Sequence, residues 1–274
     1  MTLPKGDFRT MPGYLPSLDL AGVKIVNVHP DNPGLGLPTV MALTVILDTM
    51  TGQPTAILNA TRLTDMRTGG AGAVAAKYLS PKKEVVLGVI GAGRQAEAQV
   101  RAIREELVVT EIRAWSRNPA HAEAFARTLS MAGPDEKSVT LEQACDCDLL
   151  VTTTPSRSPL VKSAWIHEGT HINAIGADAP GKEELDPAIL ARARVFVDDP
   201  AQAVHSGEIN VPITQGLFQP AMIAGTLGEV VIGKCRRESR EEITVFDSTG
   251  LAIQDLAIAS VAMKSGAGIE LPFI

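Results

Sequence analysis

The chain is 274 residues long with a formal net charge of −6, and its 45% hydrophobic and 20% charged residues are those of a globular protein. That length accommodates two domains, and the acidic balance supplies no basic footprint for nucleic acid. Cys145, Cys147 and Cys235 are too few for a disulfide framework, Met1-Thr2-Leu3-Pro4-Lys5-Gly6 has no apolar signal core, and no apolar run approaches the roughly 20 residues that cross a bilayer. The expected compartment is the cytoplasm, with neither nucleic acid nor membrane as partner.

In chain order, the first 38 residues are punctuated by Met11-Pro12-Gly13 and His29-Pro30-Asp31-Asn32-Pro33-Gly34 and read as short strands and turns. Residues 22–27 and 38–47 are β-branched or apolar enough for strands, so this part reads as a small antiparallel sheet. From Thr64 an Ala- and Gly-rich helix runs through Ala75-Ala76-Lys77-Tyr78-Leu79 to a break at Ser80-Pro81-Lys82-Lys83, the region that holds the expected domain boundary. Beyond it the pattern alternates. Strands are expected at 85–90, 112–115, 149–154, 171–175 and 195–197, with helices at 94–107 and 119–131. Short apolar runs separated by helical patterns mark a parallel, doubly wound sheet. The strand 243–247 is expected to close that sheet, and 251–263 to form a helix returning to the first domain. The expected fold class is α/β: a Rossmann doubly wound domain over 76–250, and a smaller α+β domain over 1–75 with 251–274.

The segment Gly91-Ala92-Gly93-Arg94-Gln95-Ala96 follows an apolar strand and opens a helix, the context a dinucleotide fingerprint requires. Gly91 makes the tight turn, Gly93 lets the backbone approach a pyrophosphate, and Ala96 permits close helix packing, while the first turn at Arg94 and Gln95 presents its amides to the anion. The end of the second strand selects the cofactor, because a carboxylate there binds the ribose hydroxyls of NAD and an arginine accommodates the extra phosphate of NADP. This chain has Trp115-Ser116-Arg117-Asn118. With Arg117 as the cation and Ser116 and Asn118 beside it, NADP(H) is the expected cofactor and NAD(H) the alternative.

Further segments carry a resemblance: Thr64-Asp65-Met66-Arg67-Thr68-Gly69, Val151-Thr152-Thr153-Thr154-Pro155-Ser156-Arg157, Ile172 through Gly176-Ala177-Asp178-Ala179-Pro180-Gly181-Lys182, Gly207-Glu208-Ile209, Gly225-Thr226-Leu227-Gly228-Glu229 and Phe246-Asp247-Ser248-Thr249-Gly250. With the Gly91 loop, they resemble the ornithine cyclodeaminase and mu-crystallin family over nearly the whole chain, most of all its archaeal alanine dehydrogenase branch. The resemblance implies a homodimer, a sheet domain for substrate and dimerisation, a Rossmann domain in which Thr153 and Thr154 join the cofactor contacts, and hydride transfer at the α-carbon of a small amino or imino acid. It also implies a further N-terminal segment ahead of Lys5-Gly6-Asp7-Phe8-Arg9, so the N terminus is read as shortened, without a family substrate lysine.

Arg9, Lys24 and Arg67 match family positions in the first domain, and guanidinium groups suit a bidentate grip on a carboxylate. Lys24 lies between Val23 and Ile25 on an expected strand, where a lysine faces solvent or a site; with the resemblance it is read as the partner of the reacting centre. Asp178 follows a parallel strand at its carboxyl end, where open α/β sheets bind ligands, and is read as the general base, the alternative being an Asp that stabilises the turn before Pro180. Lys182 either binds substrate or pairs with Glu183 or Glu184. Cyclodeaminase-type relatives place a glutamate at the position of Arg9, so the cation favours a short uncharged side chain and an alanine dehydrogenase-like reaction. The alternatives are an ornithine cyclodeaminase, a ketimine or pyrroline-carboxylate reductase, and a noncatalytic NADP-dependent binding protein of the mu-crystallin kind. Cys145-Asp146-Cys147 has too few nearby ligands for a tetrahedral metal site, and His205-Ser206-Gly207-Glu208 either lines the cleft or uses Ser206 as a helix N-cap.

Overall fold

Alternation of side chains makes the first part of the chain an antiparallel sheet. β1 (Thr2–Leu3), β2 (Gly6–Leu15), β3 (Leu20–Val28), β4 (Val40–Leu47) and β5 (Pro54–Asn59) pair in chain order. The computed structural model describes residues 1–130 and 135–269. The chain divides into two units, Met1–Arg67 together with the chain from Leu251 onward, and Thr68–Gly250. The division falls inside helix α1 (Thr61–Leu79), eight residues ahead of the boundary read from the sequence.

In the first unit β2 corrects an expectation. It is one strand of ten residues running through Met11-Pro12-Gly13, where short pieces and turns were expected. Past Phe8, whose backbone still bonds Met1, it pairs among the described residues with β3 alone, so the other edge at Pro12 needs no amide donor and a proline is tolerated there. Gly13 has its own reason: a Cβ at this position would stand 2.9 Å from the Ala252 Cβ, and its absence lets a helix lie close. That helix spans Ala252–Met263 and covers one sheet face, burying Ile46, Leu256 and Ala259 together. On the opposite face, register aligns Val23 with Val45 and Val45 with Ile57, and Ile25 with Leu43. Ile57 is 67% exposed and Tyr14 52%.

The second unit is built from βα repeats. Its elements are β6 (Glu84–Ile90), α2 (Arg94–Glu106), β7 (Val108–Trp115), α3 (Pro119–Ser130), β8 (Asp135–Ser138), α4 (Leu141–Cys145), β9 (Leu149–Thr152), β10 (Arg157–Val161), β11 (His171–Ala174), β12 (Glu183–Leu185), α5 (Pro187–Arg192), β13 (Ala193–Val197), α6 (Pro200–Ser206), α7 (Asn210–Thr214), β14 (Ile223–Thr226), α8 (Leu227–Val231) and β15 (Ile243–Asp247); the covering helix of the first unit is α9. The sheet order is β14-β13-β15-β11-β9-β6-β7-β8 with every pairing parallel. All residues of β9, β11 and β15 are buried, as strands covered on both faces must be. The order reverses at β6, whose neighbours are β7 on one side and β9 on the other. That reversal is the switch point at which open α/β sheets bind ligands. β15 does not close the sheet as expected: it lies between β11 and β13, inside it. Its pattern, Ile243-Thr244-Val245-Phe246-Asp247, is that of a central strand, and strand order is settled by crossovers that a linear pattern does not encode. β10 and β12 form a separate parallel pair. The helix expected to reach Met131 ends at Ser130, and residue 131 lies outside the described residues.

Candidate active site

At the switch point the β6–α2 turn borders a cavity of about 670 Å³. Gly91 has φ +112, a backbone conformation that favours glycine, and a Cβ there would stand 2.4 Å from Thr153 Oγ1. Gly93 is the N-cap of α2, and a Cβ on it would meet nothing within 4 Å, so the space beside the helix start is open. Ala96 is fully buried against the sheet. Trp115, Ser116, Arg117 and Asn118 from the end of β7, and Thr153 and Thr154 beyond β9, line the same cavity. The lining also includes Arg157 and His121 and, among the described residues, no Asp or Glu. A bent glycine turn, open space at a helix N-terminus and an arginine-bearing wall fit the phosphates of a dinucleotide. Arg94 and Gln95 occupy the first turn of α2 as expected.

Past β11 the chain enters the loop that carries Asp178 and Lys182. Asp178 is half-buried and its Oδ1 takes a short contact from the Lys182 Nζ. Lys182 therefore pairs with Asp178 and with neither Glu183 nor Glu184. Both glutamates are buried in β12, and the Lys182 side chain is itself only 17% exposed.

In the first unit Lys24 and Arg67 come together on a residue the sequence reading missed. Lys24 is 2% exposed, and its Nζ reaches Asp255 Oδ1 at 2.8 Å and Oδ2 at 2.7 Å. Arg67 Nε stands 3.0 Å from Asp255 Oδ1, and its Nη1 donates to Gln254 Oε1 at 3.1 Å. Burial lowers the Lys24 pKa to about 8, with the charges of Arg67 and Arg9 acting the same way and Asp255 opposing them. Arg9 shares the α9-facing side of the sheet and lies 3.2 Å from Asp7. Three cations thus stand near two carboxylates. Asp255 had a signal: it is the one charged residue of α9, and a lone acid in an apolar helix calls for a buried partner.

Other flagged residues are structural. Ser206 is the last residue of α6, where its Oγ donates to Gln202 O at 3.1 Å, and the N-cap of that helix is Asp199. An Asp-Pro pair opens the helix before Ser206 can, which corrects the N-cap expectation. Glu208 is fully buried and does not line the cavity. Burial raises the Cys145 thiol to about 12 and pushes Cys147 higher still, leaving both inert. No group of three His, Cys, Asp or Glu able to hold a metal occurs among the described residues, and none of their helices is long and apolar enough to cross a membrane.

An open parallel sheet with a glycine turn and an anion-accepting cavity at its switch point defines a dinucleotide-binding α/β protein. Comparison with known proteins narrows the class. The ornithine cyclodeaminase/mu-crystallin family matches residues 1–266, and the chain belongs to that family and is an enzyme of it. It is 49% identical to an alanine dehydrogenase of Archaeoglobus fulgidus over 274 residues, covering 98% of this chain and 84% of that one. Among solved structures it is similar to an archaeal alanine dehydrogenase dimer with bound NAD, at 48% identity and TM-score 0.96, covering 100% of this chain and 87% of the other. It is similar also to the Thermococcus litoralis Delta(1)-pyrroline-2-carboxylate reductase in complex with NADH and L-proline, at 36% identity and TM-score 0.93, covering 97% and 85%.

Proposed function

We propose that the protein is a nicotinamide-dependent oxidoreductase acting on the CH–NH2 or C=N group of a small amino or imino acid, with alanine and pyruvate plus ammonia as the favoured pair. The buried Lys24–Asp255–Arg67 cluster carries the reading. Two buried cations on one carboxylate, with Arg9 on the same face, leave positive charge that a substrate carboxylate neutralises. The bound dinucleotide supplies hydride-transfer chemistry, balanced as L-alanine, oxidised cofactor and water giving pyruvate, ammonium, reduced cofactor and a proton. Lys24 and Arg67 hold and orient the carboxylate, with Arg9 completing the grip. Asp178 takes the proton from the amine or from the attacking water, and Lys182 holds its carboxylate in place. A small cyclic imino acid makes the same demands, and the reductase holding L-proline supports it as a second substrate class. Arg9 argues against ornithine, whose second ammonium it repels.

NADP(H) is the favoured cofactor because Arg117 stands in the cavity wall and no described carboxylate does. Arg117→Ala is expected to weaken NADPH about tenfold or more, at roughly 1.5–3 kcal/mol for hydrogen bonds to a charged group, and to leave NADH within about twofold. Fluorescence titration reads both, and tighter NADH binding by the native chain removes the NADP assignment. The apolar outer face of the antiparallel sheet, with Val23, Ile25, Leu43, Val45 and Ile57 in register, is assigned to a second copy of the chain. The dimeric alanine dehydrogenase supports this, and a monomer by sedimentation at micromolar concentration would remove it. The activity test is oxidation of NADPH with pyruvate and ammonium. Ammonia release from ornithine without net cofactor turnover, with no activity on pyruvate, overturns the proposed reaction.

A further inference from the structure

The ladder between β9 and β11 ends at the Ile175 N–H, which donates to Thr152 O at 2.9 Å. The next amides on the two strands leave the ladder but are both paired. Thr154 N–H donates to Glu184 Oε1 at 2.6 Å, and Gly176 N–H donates to Glu184 Oε2 at 2.9 Å. Glu184 lies in β12, a strand of three buried residues, and is itself fully buried. One carboxylate therefore takes over where two strands run out, each oxygen holding one strand end. A Cβ at 176 would stand 2.2 Å from Thr154 O and 2.5 Å from Glu184 Oε2, so only glycine lets this clamp close.

Two more buried carboxylates stand behind it. Glu208 Oε1 accepts the Glu184 N–H at 2.8 Å and the Leu185 N–H at 2.6 Å. Asp247 in turn accepts the Glu208 N–H at 2.9 Å and the Ile209 N–H at 3.2 Å. Each acid holds the backbone of the next. The links differ in one respect: Glu184 engages both oxygens, whereas Glu208 engages Oε1 and its buried Oε2 has no hydrogen-bond partner among the described residues. Burial raises both carboxyls, Glu208 well above the ordinary range with the neighbouring Glu184 adding to it, and Glu184 against the opposing pull of the hydrogen bonds it accepts at Thr154 and Gly176.

We propose that Glu184 is a positioning residue of the dinucleotide site: its carboxylate fixes the Thr153–Pro155 wall of the cavity and the loop leading from Gly176 to Asp178. The inference rests on the reading of the cavity as a dinucleotide site. Thr154 lines that cavity while Glu184 does not, so Glu184 acts through the amides it holds.

The test compares Glu184→Gln with Glu208→Gln in the full chain by thermal unfolding, titration with NADPH and NADH, and kinetics on pyruvate and ammonium. A glutamine at 184 accepts one amide and must point its own NH2 at the other. The expected result is affinity for both dinucleotides lower by about tenfold, with kcat reduced as well. At 208 the amide oxygen replaces Oε1 and the NH2 takes the unpartnered side, so affinity stays within about twofold. Unchanged affinity in Glu184→Gln overturns the proposal, as does an equal loss in both variants, because general packing would not distinguish two engaged oxygens from one. Failure of the native chain to bind either dinucleotide brings down the reading of the cavity, and this inference with it. Should Glu184→Gln not fold, hydrogen exchange on the native chain decides. The Thr154 and Gly176 amides are expected to exchange at least about a hundredfold slower than open chain and to slow further with NADPH; open-chain rates, or no response to NADPH, refute the clamp.

Discussion

Each unit of the molecule buries a cluster of charged side chains, and the two clusters are held by opposite means. In the antiparallel-sheet unit, Asp255 is held by the opposite charges of Lys24 and Arg67. In the parallel-sheet unit, Glu184, Glu208 and Asp247 are held by backbone amides, with no ion pair to a cation among the described residues. The first arrangement sets two cations on one carboxylate, the surplus that the proposed grip on a substrate carboxylate uses. The second uses acids as acceptors for amides that the sheet ladders leave over, which makes it scaffolding. Buried charge is therefore no sufficient mark of a reacting site; the sign left over after local pairing separates the two.

Removing the shared acid breaks the comparison most severely. Asp255→Ala leaves Lys24 and Arg67 buried without a counter-charge and is expected to cost about 3–5 kcal/mol in denaturant unfolding. Lys24→Met sharpens the contrast, because Arg67 and Asp255 remain as a balanced pair. Stability is expected to change by at most about 1 kcal/mol while KM for pyruvate rises by about tenfold or more. A large stability loss with unchanged KM would make Lys24 structural.

The clusters also tilt stability in opposite directions with pH. Burial raises Asp247 to about 8, so between its unfolded value near 4 and about 8 the folded state binds more protons and stability falls as pH rises. Lys24 is lowered from 10.5 to about 8, so between about 8 and 10.5 the unfolded state binds more protons and stability recovers. Unfolding midpoints across pH 4–10 are expected to show both limbs, and Lys24→Met should remove only the alkaline one. Affinity for the substrate carboxylate should fall through about pH 8 as Lys24 loses its proton. The smallest expected stability effect is at Arg9, whose side chain is 31% exposed. Arg9→Glu should change stability by under about 1 kcal/mol yet weaken pyruvate, and improved pyruvate binding would contradict its assigned role.

Much of this was legible from the chain. The Gly91 turn, Arg117 beside it and the βα alternation are local patterns, and each is read within one strand, one turn and one helix. Lys24 stood out because a strand interior rarely carries a lysine. Asp255 was passed over because its partner Lys24 lies 231 residues away along the chain, and Glu184 was weighed only as a partner for Lys182 because nothing local shows that it holds Thr154, 30 residues away. The same holds for β2, where a proline and a glycine look like a break until the strand is known to be an edge.

Read alone, the sequence specifies the two kinds of sheet, the dinucleotide turn and the cations that suit a carboxylate, since these depend on neighbours within a few residues. The tertiary structure alone decides that β15 runs inside the sheet, that Lys24 and Arg67 meet on Asp255, and that Glu184 clamps two strand ends. Those are facts about which distant segments meet, and burial in that meeting sets which charges remain to act.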